Sequence, residues 1–152
     1  MLLLLLGCGT TPEESTPTDT APTTGTVALH FQLDSVLLSY VDQPPVGAFW
    51  GSIYLSEDVT GLGPSEDARP LEDVFVVAVD LSDLTLPALY TTAALPVGRL
   101  TVLGFVDTDG NAVTDSPDPD DGDPVTLPGE NGFDVSADTT TDVTVFFGLL
   151  NP

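Results

Sequence analysis

Alternation of apolar and polar residues dominates the chain from residue 26 onward. Every second residue from 27 to 33 is large and apolar, which is the pattern of a β-strand with one buried face. We expect residues 35–41 to continue this strand after a bend. Further strands are predicted at residues 47–56, 74–81, 89–95, 99–106, 125–127, 133–135 and 141–149. The run 74–81 is apolar on both faces, which predicts a central strand.

Turn chemistry separates these runs. Clusters of Pro, Gly, Asp and Asn lie between them and predict loops, and segment 56–73 leaves room for at most one turn of helix. No stretch of helix length keeps a 3.6-residue repeat. Seven or eight short strands predict an all-β fold, an antiparallel Greek-key β-sandwich, for residues 26–152. A closed barrel is the alternative.

The charge of the chain is strongly one-sided. The 152 residues include 24 acidic and two basic ones, Arg69 and Arg99, and the formal net charge is −22. Nucleic-acid binding needs Lys and Arg to replace phosphate counterions, so this balance excludes it as a function. It also excludes adhesion to anionic lipid through basic residues. A hydrophobic content of 41% still allows a buried core.

The first residues, MLLLLLGC, contain an apolar run that ends just before Cys8. The run is too short to span a bilayer, which takes about 20 apolar residues, and it predicts a signal peptide over residues 1–7. Residues 5–8, Leu-Leu-Gly-Cys, resemble a bacterial lipobox. Because no basic residue precedes the run, we expect the true start of translation to lie upstream. The alternative is a short apolar tail with an unmodified cysteine.

The lipobox resemblance implies that the chain is cut before Cys8 and that its sulfur carries a diacylglyceryl group. Several acyl chains anchor firmly, since each buried methylene contributes about 0.8 kcal/mol. Gly9, not Asp, follows the cysteine, which in Gram-negative lipoproteins implies the outer membrane, at its periplasmic face or at the cell surface. Residues 8–25 are rich in Thr and Pro and poor in apolar residues, so we predict a disordered linker.

A second resemblance lies within the predicted sandwich. The run LPVGRLTV at residues 95–102 resembles the LPxGxYxV hairpin of transthyretin-like and carboxypeptidase-regulatory-like domains of secreted bacterial proteins. Leu100 stands where the family has an aromatic residue. Residues 133–135 and 138–145 resemble the last hairpin of the same domains. The resemblance implies a sandwich domain from a group whose members are mostly noncatalytic structural or binding modules.

The densest acidic segment is residues 107–123, with seven carboxylates. Its first positions resemble the calcium loops of EF-hand, dockerin and thrombospondin type-3 proteins. The predicted calcium ligands are Asp107, Asp109, Asn111, Asp115 and Asp118 by their side chains and Val113 by its carbonyl. A strand precedes the loop and Ala112 replaces the usual glycine, which excludes a true EF-hand. Two interpretations stay open, a calcium site and a solvated acidic loop that keeps a sheet edge soluble.

Residues 49–54 hold the densest aromatic group. Trp50 and Tyr54 fall on one face of the predicted strand and Phe49 on the other. Core packing is one interpretation, and an exposed platform for a sugar or a partner's side chain is the other. His30, the single histidine, faces away from the apolar side of its strand, and no nucleophile is predicted beside it. We therefore predict no enzymatic activity.

These features together predict a noncatalytic, lipid-anchored envelope protein with a structural or adhesive β-sandwich and with calcium as a candidate cofactor. The alternative is a carbohydrate-binding module at the cell surface. The membrane is the predicted partner, through the lipid on Cys8, and a glycan or protein ligand is left open.

Overall fold

The computed structural model describes residues 23–41, 45–81 and 87–152. The predicted signal peptide, Cys8 and residues 9–22 of the linker lie outside these ranges. In chain order the elements are β1 (Thr24–Leu33), α1 (Ser35–Leu38), β2 (Val46–Leu55), a 3-10 turn (Ser56–Asp58), β3 (Val59–Thr60), β4 (Gly63–Pro64), β5 (Glu72–Asp80), β6 (Tyr90–Thr91), β7 (Leu95–Pro96), β8 (Gly98–Asp107), β9 (Pro124–Thr126), β10 (Gly132–Val135) and β11 (Thr140–Leu150). The all-β prediction is confirmed in the described part of the chain.

Nine of these strands form one curled sheet, and β3 and β4 form a second sheet of two strands. The strand order is β5-β2-β8-β9-β11-β1-β6, with β10 paired to β8 and β7 paired to β1. β1 and β11 run parallel from the pair Thr26 and Thr140 to the pair Leu33 and Phe147. The antiparallel prediction holds for the other neighbours, and this one pair is the exception. Alternation fixes which face of a strand is buried, but it does not fix the direction of the neighbouring strand.

Three phenylalanine rings meet in the core between the two halves of the curled sheet. Phe31, Phe49 and Phe147 are at most 6% exposed, and their ring centroids lie 4.8 to 6.4 Å apart. Gly51 and Gly104 face each other across β2 and β8, and a Cβ at either position would clash with the Phe49 ring. The two glycines therefore leave the space that this ring occupies.

A side chain joins the two ends of the sheet. Tyr90 of β6 donates a hydrogen bond to Glu72 Oε1 of β5 at 2.7 Å, and the Ala93 N–H donates to Glu72 Oε2 at 3.0 Å. β5 and β6 are the first and last strands of the sheet order. The hydrogen bonds of Glu72 therefore connect the two edges of the curled sheet and stabilise its two-layered shape.

Residues 35–41 do not continue β1, so this part of the strand prediction is wrong. Ser35–Leu38 form one helical turn, α1. The carboxylate of Asp34 accepts the Val36 N–H at 2.7 Å and caps this turn. β1 therefore ends where Asp34 caps the helical turn. The alternation of apolar residues does not predict this end, because it contains no information about capping.

The prediction that residues 74–81 form a central strand is also wrong. β5 is the first strand of the sheet order and pairs with β2. Val74 and Val79 are buried in the core, whereas Phe75 and Val77 are 46% and 76% exposed. The second apolar face of this strand therefore lies on the outside of the sandwich. A patch of exposed apolar surface on a folded protein is typical of a site that contacts another molecule.

The two runs that resemble hairpins do not pair within themselves in the structure described. β7 pairs with β1, and β10 pairs with β8, so each run connects different parts of the sheet. Gly98 begins β8 with a φ of +139°, a conformation that glycine adopts without a steric cost. The domain begins two residues earlier than predicted. β1 starts at Thr24 and not at residue 26, because Thr24 and Gly25 pair with β7.

Candidate ligand-binding cleft

The sheet formed by β5, β2 and β8 has one face toward the phenylalanine core and one face away from it. On β2, Phe49 and Ile53 are fully buried in the core. Trp50, Ser52 and Tyr54 lie between and beside them in sequence, so they lie on the opposite face, as alternation predicts. We call this opposite face the outer face.

An aromatic row crosses three strands on the outer face. Trp50 pairs with Phe75 of β5 on one side and with Phe105 of β8 on the other. The Trp50 and Phe75 rings have centroids 4.3 Å apart and planes tilted by 47°. Phe105 is 5% exposed and Phe75 is 46% exposed. The row therefore presents ring surface at Phe75 and Trp50 against which the apolar face of a ligand packs favourably.

The indole nitrogen of Trp50 is buried, and it has no hydrogen-bond partner among the described residues. A buried N–H group without an acceptor costs about 1–3 kcal/mol.

The next row of the outer face is polar. Ser52 pairs with Asp73 of β5, and its Oγ donates a hydrogen bond to Asp73 Oδ1 at 2.7 Å. These two residues, together with the aromatic row, Tyr54 and Asp118, line a cleft of about 630 Å³, which is the size of small-molecule sites. We call it the outer-face cleft. None of the described residues that line it is basic, so its charged groups accept hydrogen bonds.

The acidic loop, residues 107–123, forms one wall of this cleft through Thr114, Pro117 and Asp118. Both ends of the loop are buried, because Asp107 is 5% exposed and Asp123 is 1% exposed. The two regions that the sequence singles out, the aromatic group and the acidic segment, therefore meet at one place.

Hydrogen bonds within the loop compensate its two buried carboxylates. The Asp107 carboxylate accepts the backbone N–H groups of residues 110–112 at 2.8 to 3.2 Å. Asp123 Oδ1 accepts both the N–H and the hydroxyl of Thr108 at 3.0 Å, and its Oδ2 accepts the Asp120 N–H at 3.3 Å. Buried carboxylates are tolerated when they are hydrogen-bonded in this way, and these bonds hold the loop in its position beside the cleft.

The first three predicted calcium ligands, Asp107, Asp109 and Asn111, lie together at the start of the loop. The Asn111 side-chain amide donates to Asp109 Oδ2 at 2.8 Å and also to the carboxylate of Asp120. The amide therefore lies between two carboxylates and reduces the repulsion between them.

The remaining predicted ligands lie further along the loop. Val113 is 65% exposed and forms an isolated bridge with Ser116. Asp115 and Asp118 are exposed, and Asp118 lines the cleft. Across residues 23–41, 45–81 and 87–152, no three His, Cys, Asp or Glu side chains are grouped in a way that would hold a metal ion. Calcium binding stays a prediction.

A second cavity, of about 280 Å³, lies beside the outer-face cleft. Ser56, Arg99 and Thr101 are among the residues that line it. Ser56 Oγ and Thr101 Oγ1 are hydrogen-bonded at 2.7 Å, and Arg99 forms an ion pair with Asp134 at 2.9 Å. Because Thr101 pairs with Tyr54 across β8 and β2, the two cavities adjoin on the same face.

His30 lies apart from the outer-face cleft. Its Nε2 is 3.1 Å from Asp142 Oδ1 of β11, the strand next to β1, and neither residue lines the cleft. Cys8, the predicted lipidation site, lies outside the described residues.

Sequence reasoning identified Trp50, Tyr54 and Asp118, but it missed Phe75, Asp73 and Phe105. Cross-strand neighbours depend on the register between strands that are distant in sequence, and alternation within one strand does not give that register. The chain carries one signal for Phe75, the apolar residues on both faces of residues 74–81. Apolar residues on both faces are expected for a buried strand, and they are equally expected for an edge strand whose outer face binds a ligand. The pattern alone therefore does not distinguish the two.

A scan against protein-family models finds no match to this chain, and searches of curated proteins and of solved structures find none either. None of the helical segments in the described part of the chain has the length and apolarity that a membrane crossing needs.

Proposed function

We propose that this protein is a noncatalytic envelope module that is anchored to the outer membrane by lipid on Cys8 and holds a ligand in its outer-face cleft. In this proposal the linker, residues 8–23, separates the domain from the membrane. The domain makes a structural or adhesive contact with other material of the envelope or the cell surface.

The outer-face cleft is the observation that carries the proposal. Exposed aromatic surface costs free energy in water and promotes unwanted association, so a sandwich with a purely internal structural role gains nothing from it. Phe75 is 46% exposed, lies against Trp50, and adjoins the carboxylates of Asp73 and Asp118 in a cleft of ligand size. This combination of apolar surface and a few polar groups is typical of binding sites.

Sequence supports the anchoring part of the proposal. Cys8 is the single cysteine of the chain, so no intrachain disulfide competes for its sulfur. It also stands at the cysteine position of the lipobox. The whole chain has a net charge of −22, so its own side chains are not attracted to an anionic membrane surface. A lipid on Cys8 would hold the domain near that surface.

The noncatalytic part of the proposal is supported by where the reactive side chains lie. A Ser-His-Asp mechanism needs a histidine beside the nucleophile, and His30, the single histidine of the chain, does not line the cleft. Asp73 in the cleft is engaged by the hydroxyl of Ser52. This set of groups suits recognition of hydrogen-bond donors.

Carbohydrate binding is the second candidate function. Aromatic rings next to carboxylate acceptors favour it, because a sugar has apolar C–H faces and many hydroxyl donors. This candidate is compatible with the first, since a carbohydrate at the cell surface is one material to which an anchored module adheres.

Metabolic labelling tests the anchor. Cells that express the protein are grown with a palmitate analogue, and the labelled protein is compared with the Cys8→Ala variant. We expect label and membrane fractionation in the native chain and loss of both in the variant. An unlabelled native chain, or a labelled Cys8→Ala chain, would overturn the anchoring part of the proposal.

Calcium titration tests the candidate cofactor. Calcium sites of extracellular modules bind in the range of about 0.1–1 mM, so a site in the acidic loop predicts a rise in melting temperature at several millimolar calcium. Asp109→Ala should abolish this rise, because Asp109 is a predicted ligand. No rise in the native chain would leave the solvated acidic loop as the interpretation.

A further inference from the structure

We infer that the ligand of the outer-face cleft is an uncharged, extended oligosaccharide that lies along β8 and reaches the second cavity. This inference rests on the proposed binding role of the cleft, and it names the class of ligand.

The length of the site follows from the alternation of β8. Phe105 and Leu103 line the outer-face cleft, and Thr101 and Arg99 line the second cavity. All four lie on the outer face, because the intervening Leu100 and Val102 are fully buried in the core and Gly104 faces the Phe49 ring. The six residue-to-residue steps from Arg99 to Phe105 span about 20 Å. The two cavities therefore lie along the same face of β8, and we call them together the groove. A chain-like ligand has the length to reach both, whereas a compact ligand occupies only one.

The chemistry of the groove matches a polyol. Phe75 and Trp50 provide ring surface for the apolar C–H face of a sugar. Asp73 and Asp118 line the same cleft and accept hydrogen bonds from hydroxyl groups. A sugar hydroxyl donates one hydrogen bond and accepts two. One class of ligand therefore matches the ring surface and the acceptors together.

Charge excludes an acidic ligand. The chain carries a net charge of −22, and Asp73 and Asp118 lie in the cleft itself. An acidic polysaccharide or a phosphate ester would meet repulsion at every step of its approach. A neutral sugar chain does not meet this repulsion.

A cationic peptide is the competing ligand, because the same field attracts it. At its far end the groove holds Arg99, whose charge is paired with Asp134 at 2.9 Å, so a cation meets no net repulsion there. The uncharged sugar is favoured because each of its rings offers an apolar C–H face to Phe75 and Trp50. The same ring offers hydroxyl donors to Asp73 and Asp118, and hexalysine tests the alternative directly.

Isothermal titration calorimetry with defined probes tests this inference. The full chain carrying Cys8→Ser, which removes the lipid attachment, is titrated with cellohexaose, maltohexaose and chitohexaose, and then with the matching disaccharide of any that binds. We expect at least one hexasaccharide to bind, and its disaccharide to bind at least about tenfold more weakly, because the disaccharide does not reach along the groove. Hexagalacturonate and hexalysine are the charged comparison probes.

Three variants on β5 locate the binding. Phe75→Ala removes exposed ring surface and should weaken hexasaccharide binding at least about fivefold, as expected for an aromatic anchor. Val77→Ala is the matched control, because Val77 is 76% exposed on the same strand and does not line the cleft; it should leave binding unchanged. Asp73→Ala provides a second cleft variant, and melting temperatures confirm that each variant is folded.

Three results would overturn the inference. Absence of heat with all three hexasaccharides at millimolar concentration is the first, and it leaves the anchoring proposal standing if Cys8 is labelled. The second is binding of hexalysine, weakened by Phe75→Ala, while no hexasaccharide binds. In that case the cleft is still the binding site, but its ligand is a cation. Hexasaccharide binding that neither Phe75→Ala nor Asp73→Ala weakens is the third, because it places the sugar elsewhere.

Discussion

Asn131 lies in the turn between β9 and β10. Its side chain makes hydrogen bonds to the backbone of β11 and of this turn, in the place where strand-to-strand pairing has ended. The residue is 2% exposed. Its Nδ2 donates to the carbonyl oxygens of Leu127 and Phe146 at 3.0 and 2.9 Å, and its Oδ1 accepts the Phe146 N–H at 2.7 Å. Direct pairing of β9 with β11 begins at Thr126 and Phe147, so Asn131 extends this contact by one step.

Replacement of this side chain should be costly. Asn131→Ala leaves two carbonyl groups and one N–H of the turn and β11 without their partners, which predicts a loss of about 2–4 kcal/mol in the free energy of unfolding. Urea unfolding followed by tryptophan fluorescence measures it. Glu130→Ala, at the exposed neighbouring position, is the control and should change the stability little. Equal stabilities of the two variants would contradict this role of Asn131.

The hydroxyl of Tyr90 makes the closure of the sheet depend on pH. Partial burial, and then the hydrogen bond to Glu72 and its negative charge, raise the pKa of Tyr90 to about 12 from the usual 10.0. Because the folded state holds this proton more tightly than the unfolded state, the stabilisation is fully present below about pH 10. It is lost as the pH rises from about 10 to 12.

The Tyr90→Phe variant isolates this contribution. At pH 8 we expect it to be about 1–2 kcal/mol less stable than the native chain, because it loses a hydrogen bond to a charged group. The difference in the free energy of unfolding should shrink between about pH 10 and 12. A difference that stays constant over this range would show that the proton of Tyr90 does not contribute.

At the scale of elements, the acidic loop is held in place by its own backbone. Asp123 is 1% exposed and accepts three hydrogen bonds from Thr108 and Asp120. Asp123→Ala should destabilise the protein by about 2–4 kcal/mol and should speed hydrogen exchange of the Thr108 amide. Asp121→Ala removes the same charge from an exposed position of the same loop, so it controls for relief of charge repulsion. Identical exchange rates in the two variants would contradict this account.

Strand positions were largely predictable, whereas strand neighbours were not. Alternation located β1, β2, β8 and β11 within a few residues, because each places every second apolar side chain on one core face. It failed at residues 35–41, where Ser35–Leu38 form a helical turn that the carboxylate of Asp34 caps. It also failed at β5, because apolar residues on both faces look the same in a buried strand and in an edge strand with an exposed apolar face.

At the scale of the whole molecule, the candidate site depends on the order of the strands. Trp50 lies between Phe75 and Phe105 because β2 lies between β5 and β8. The acidic loop reaches the same place because it follows β8 directly. The sequence indicated the aromatic group and the acidic segment separately. Their convergence follows from pairings between strands far apart in the chain, which local patterns do not encode.

The central claim is that the outer-face cleft is the place where this protein holds its ligand. Trp50 is the single tryptophan of the chain, so a proton–nitrogen correlation spectrum contains one indole N–H signal, and this signal reports on the cleft. We predict that the hexasaccharide identified by calorimetry shifts this signal and the backbone signals of Ser52, Phe75 and Gly104. Shifts confined to residues outside the cleft, with the indole signal unmoved at saturation, would contradict the claim.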